Sequence, residues 1–99
     1  MAKFRKLPVV IEAMTWDELV QYGIENGGNV VNGLPWSFKI GDRPVTHDCQ
    51  GGYDRYLIST LEGEMEMTQN DMLIIGVKGE AYPCKLDIFR ATYEAVAGI

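Results

Sequence analysis

From Leu61 to Met67 the chain alternates without a break, with Leu61, Met65 and Met67 falling on one side and Glu62, Glu64 and Glu66 on the other. A period of two belongs to a strand with one face buried and one in water. Thr68-Gln69-Asn70-Asp71 follows as a run of turn formers, and Met72-Leu73-Ile74-Ile75-Gly76-Val77 then returns as an apolar run of strand length. The pattern predicts a hairpin whose second strand is buried, and with it an antiparallel sheet as the frame of the fold. The apolar run is far short of the ~20 residues that cross a bilayer, so no membrane partner is expected.

The flanking segments fit this frame. Residues 8–14 are β-branched and apolar with a proline at the entry, which suits a strand. Thr15-Trp16-Asp17-Glu18 has the form of a capping box, and Trp16, Leu19, Val20 and Ile24 lie on one stripe of a 3.6-residue period. Asn26-Gly27-Gly28 stops that helix after about three turns. Short strands are expected at residues 30–31, 36–40, 56–60 and 80–83, a turn at 41–44, and a longer loop at 48–52. Asp87 is expected to cap a brief helix over residues 88–92, and residues 93–97 to form a closing strand. The sum is an α+β fold: a mostly antiparallel β-sheet, one three-turn helix and a second short helix. At 99 residues the chain is expected to form one domain spanning 1–99. A core of that size gains from a partner subunit, so a homo-oligomer is expected.

Charge and cysteine usage narrow the chemistry. Lys3, Arg5 and Lys6 put +3 at the N-terminus, which leaves −8 on the rest of a chain whose net charge is −5. No basic stripe crosses the body, so duplex nucleic acid is not an expected partner. Cys49 and Cys84 do not form a CxxC pair, and no apolar leader opens the sequence, which points to a reducing cytoplasm. Same-face neighbours on one strand lie about 6.5–7 Å apart, so Glu62, Glu64 and Glu66 read as a solvated face rather than a metal site. His47-Asp48-Cys49 holds ingredients of a zinc site or a thiol nucleophile, but neighbouring side chains diverge. No metal, no cofactor and no catalytic residue is expected, and Cys84 reads as a small buried residue.

The better constellation is Tyr82-Pro83-Cys84-Lys85, read as a turn that places a ring and a cation just before a helix. Arg43, Arg55, Trp16 and Trp36 would add guanidinium forks and stacking faces if the fold gathers them. Trp16, Trp36, Arg43, Arg55, Tyr82 and Lys85 are therefore the candidate residues for a small nucleotide-type ligand. Glu62, Glu64 and Glu66 are the candidates for the alternative, an acidic face that binds a host protein. A hydrolase acting on a nucleotide is the reading these residues support least.

Three blocks then stand out: Thr60-Leu61-Glu62-Gly63-Glu64-Met65, Asp71-Met72-Leu73-Ile74-Ile75-Gly76-Val77-Lys78-Gly79-Glu80, and Tyr82-Pro83-Cys84-Lys85-Leu86-Asp87-Ile88-Phe89 with Thr92-Tyr93-Glu94. Together with Lys6-Leu7-Pro8-Val9-Val10-Ile11-Glu12-Ala13 and Trp16, they resemble a family of small phage and prophage proteins of the PGDYG type. The likeness covers both ends of the chain and leaves its middle unassigned. Gln69-Asn70 stands where that family usually has Pro-Gly, and Leu86 where it usually has a proline. The resemblance implies a bacteriophage origin and action in the host bacterial cytoplasm, and it carries no catalytic set. The expected function is an accessory protein that sequesters a nucleotide-type host immune signal without turnover.

Overall fold

The computed structural model describes residues 1–5 and 7–96. Lys6 of the basic cluster and Ala97 of the expected closing strand lie outside them. In chain order the elements are β1 (Glu12–Met14), α1 (Trp16–Glu25), β2 (Val30–Val31), β3 (Leu34–Pro35), β4 (Ser37–Ile40), β5 (Arg43–Gln50), β6 (Tyr53–Thr60), β7 (Gly63–Met67), β8 (Asp71–Ile75), β9 (Ala81–Lys85) and α2 (Leu86–Thr92). The architecture is α+β and mostly antiparallel sheet, as the alternation and the helical stripe predict.

Helix α1 starts where the sequence places it. The Thr15 hydroxyl accepts from the Glu18 amide at 3.2 Å, and the Glu18 carboxylate accepts from the Thr15 amide at 3.0 Å, so two of the helix's free donors are satisfied. Trp16, Leu19 and Gly23 are the buried positions, whereas Ile24 is 39% exposed. The stripe turns toward Gly23 because Pro35 and Phe38 press against that glycine.

Strands β4, β5, β6 and β7 form a meander in sequence order, and β1, β8 and β9 form a second sheet in the order β1-β8-β9. All pairings are antiparallel. The inner face of the meander carries Phe38, Ile40, Val45, Tyr56, Ile58 and Met67. These residues join Trp16 and Leu19 of α1 and Leu73 and Ala81 of the second sheet in one core. The β5–β6 hairpin turns on Gly51 and Gly52 with φ of +67° and +85°, the pair of positive values a type I′ turn requires. Helix α2 lies against β8 and β9.

Several local expectations are corrected. Residues 68–71 do not close a hairpin: β7 pairs with β6, while β8 pairs with β1 and β9, so the turn carries the chain from one sheet to the other. Leu61 and Glu62 are the turn between β6 and β7 rather than part of a strand, because Gly63, at φ +108°, closes the hairpin opposite Thr60. Asp48, Cys49 and Gln50 belong to β5, leaving only Gly51 and Gly52 of the expected loop. Of residues 8–14 only Glu12–Met14 pair, since β8 ends at Ile75. The second helix begins at Leu86, so Asp87 sits in its first turn and bonds the next amide instead of capping. Residues 93–96 form no strand.

Candidate functional site

A cleft opens at the end of the core where the two sheets diverge. The first residue of β5 (Arg43), the last of β6 (Thr60), the Leu61-Glu62 turn and Met65 of β7 face Glu80, Ala81 and Tyr82 at the entry to β9. Its volume is about 330 Å³, at the small end of the ~300–1,000 Å³ typical of ligand pockets. Leu61, Met65 and Ala81 supply apolar lining, and Leu61 is 84% exposed although it is large and apolar. Strand alternation aims Arg43 inward: it shares the register of Val45, which is fully buried.

The polar groups around the cleft divide into occupied and available. Thr60 Oγ1 donates to the Gly63 carbonyl at 2.6 Å and accepts from the Glu62 amide at 3.2 Å, which fixes the turn. The Glu80 carboxylate accepts from the Lys78 amide at 3.0 Å and folds over Gly76, where a Cβ would lie 2.1 Å from Oε1. Arg43 is half-buried and makes no ion pair or side-chain hydrogen bond among the described residues. A guanidinium held beside apolar surface without a carboxylate is a ready anion partner with five N–H donors. The Glu62 carboxylate at the rim is an acceptor for a hydroxyl or amine.

The six candidate ligand residues are dispersed. Arg43 and Tyr82 border the cleft. Register places the Tyr82 side chain with Ile74 on the far face of the second sheet. Burial, then hydrogen bonding to Tyr93, and then the nearby Glu80 charge raise its hydroxyl above the usual phenol range. Trp16 is in the core, its ring 4.9 Å from that of Tyr56. Trp36 is half-exposed and lies 4.5 Å from the His47 ring, away from the cleft. Arg55 points outward from β6, where Asp48 and Glu66 bind its guanidinium and raise its pKa further. Lys85 borders a shallower hollow with Asp71, Asp87 and Arg90; Tyr82 and Lys85 diverge because the segment expected to turn is strand β9. The acidic ladder is also divided, with Glu62 in a turn, Glu64 exposed on β7, and Glu66 tied to Arg55.

Sequence reasoning passed over Thr60, Leu61 and Met65 as cleft residues. Their meeting depends on the position of the Gly63 turn, and the available signal was a large apolar residue followed by Glu-Gly at a hairpin tip. The His47 side chain is buried, at 3% exposed. Its Nε2 lies 2.7 Å from Asp54 Oδ1, while its buried Nδ1 has no hydrogen-bond partner among the described residues. Asp48 points to the opposite face, and Cys49 and Cys84 are exposed and half-exposed, so Cys84 is not the buried residue expected. No group of three or more His, Cys, Asp or Glu able to hold a metal ion occurs among the described residues, and no helix among them is long and apolar enough to cross a membrane. No known protein family, curated protein or solved structure matches the chain.

Proposed function

We propose that this protein captures a small nucleotide-type molecule in the cleft between its two sheets and holds it without turnover. The observation that carries this reading is Arg43, a half-buried cation with no carboxylate partner among the described residues, at the edge of an apolar cleft. The apolar surface of Leu61, Met65 and Ala81 suits one face of a planar base, Arg43 suits a phosphate, and Glu62 suits a ribose hydroxyl. Retention without reaction is favoured because the cleft lining contains neither the histidine nor either cysteine. The resemblance to small phage proteins adds the biological setting: the ligand is a host immune signal, and the protein acts as a sponge for it in the bacterial cytoplasm.

The test is calorimetric titration with a panel of mononucleotides, cyclic dinucleotides and ADP-ribose derivatives, followed by mass analysis of the recovered ligand. One member binds and returns unchanged, and Arg43→Ala weakens it about tenfold to a hundredfold, the range for a lost hydrogen bond to a charged group. The unliganded melting temperature of Arg43→Ala should stay near that of the parent, since the side chain makes no ion pair or hydrogen bond among the described residues. No binding across the panel, or equal binding by the variant, would overturn the proposal.

A further inference from the structure

Among the described residues of the N-terminal segment, several large apolar side chains are exposed. Phe4 is 94% exposed, Leu7 78% and Val10 61%, and Val9 is about half exposed, so four large apolar side chains stand in water on one short segment. Isolated exposed apolar residues are ordinary, but a consecutive β-branched run is not. Val9, Val10 and Ile11 lead directly into β1, whose partner on one side is β8 and whose other edge is open among the described residues. An open edge continued by apolar β-branched residues is a template for another strand.

Charge indicates whose strand it is. Lys3 and Arg5 precede this run, whereas the body of the chain is strongly acidic, so the segment is drawn to a body like its own while lying off the one it belongs to. We infer that residues 7–14 of two copies pair antiparallel about a two-fold axis, joining the β1-β8-β9 sheets into one six-stranded sheet across a homodimer. A two-fold arrangement is self-complementary: over residues 7–14 it sets Leu7 opposite Met14, Val9 opposite Glu12 and Val10 opposite Ile11 of the other copy, and each copy's Lys3 and Arg5 reach the other's acidic surface. The pairing also covers the edge that would otherwise invite open-ended association. This inference is independent of the cleft, which lies at the far side of the second sheet's strand order, at β9.

Sedimentation analysis of the full chain over a range of concentrations, with amide hydrogen exchange on the same samples, tests it. The parent protein should sediment at twice the 11.1 kDa chain mass, with amides among Leu7, Val9, Val10 and Ile11 slowed when dimeric. A variant carrying Val9→Asp and Val10→Asp should be monomeric, because the new carboxylate at position 9 then faces Glu12 of the other copy and the one at position 10 faces the apolar Ile11, and its circular dichroism should be unchanged because both sites are exposed in the monomer. Added salt should weaken the parent dimer. A parent that is monomeric throughout, a dimer whose residues 7–11 exchange freely, or a double variant that remains dimeric would each overturn the inference.

Discussion

The Tyr56 hydroxyl donates to the main-chain carbonyl of Pro35 at 2.7 Å, and both residues are fully buried. This bond ties the middle of β6 to the short β2-β3 ribbon, 21 positions away in the chain. Around it the Trp16 ring lies at 4.9 Å, the His47 ring at 5.7 Å and the Phe38 ring at 5.8 Å. Tyr56→Phe preserves the ring packing and strands the Pro35 carbonyl in the core. The expected loss is about 1–3 kcal/mol, the cost of an unsatisfied buried acceptor. A domain of this size should melt ~4–8 °C lower for each kcal/mol lost, which thermal unfolding will read directly.

The same hydroxyl sets an alkaline limit. Burial, and secondarily the Asp54 charge, push its pKa up to about 12, against about 10 in the unfolded chain. Above pH ~10 the unfolded state releases this proton while the native state keeps it, so stability falls as pH rises through the window between the two values. Below the unfolded value the contribution is complete. Equilibrium unfolding followed from neutral pH to pH ~12 should show this decline, and Tyr56→Phe should remove its share.

The parts of the fold legible in the sequence are those set by neighbours in the chain. Thr15 and Glu18 are three positions apart and their reciprocal bonds are present, so α1 starts as read. Alternation in β7 was visible too, but its partner was not. Thr68 to Asp71 has the composition of a hairpin turn, and Asp71 does bond back to the Thr68 amide at 2.9 Å. Whether the next strand folds beside β7 or joins β1 in another sheet depends on residues some 60 positions earlier, and no local pattern encodes that choice. The cleft has the same origin. Arg43 is legible as a guanidinium in a turn-rich segment, but its neighbours Thr60, Leu61 and Met65 follow from where Gly63 closes the β6–β7 turn, and the Trp16 ring suits a stacking face by type while its position on α1 is core.

His47 offers a test of a half-satisfied buried ring. Its side chain is 3% exposed, with Asp54 as partner to Nε2 and no partner for Nδ1 among the described residues. Asp54→Ala removes the Nε2 partner from a buried ring whose Nδ1 has none among the described residues, and should cost about 1–3 kcal/mol. Asp54→Asn keeps an oxygen that can accept from Nε2–H and should lose less. The difference between the two melting temperatures measures the hydrogen bond apart from general effects at that strand position.

Gly23→Ala sets helix propensity against packing. Alanine is the stronger helix former by about 1 kcal/mol, which on an exposed face would stabilise α1. Here a Cβ would lie 2.6 Å from Pro35 Cγ and 2.7 Å from Phe38 Cε1. Neither neighbour is a flexible tip, since Pro35 and Phe38 are both buried rings, and Pro35 also presents the carbonyl that receives the Tyr56 bond. Overpacking a well-filled core typically costs about 1–3 kcal/mol, so the clash should outweigh the propensity gain. Chemical denaturation should therefore show Gly23→Ala less stable than the parent, with the midpoint lowered and the denaturant dependence unchanged. A more stable variant would mean that β3 can move away from α1 at little cost.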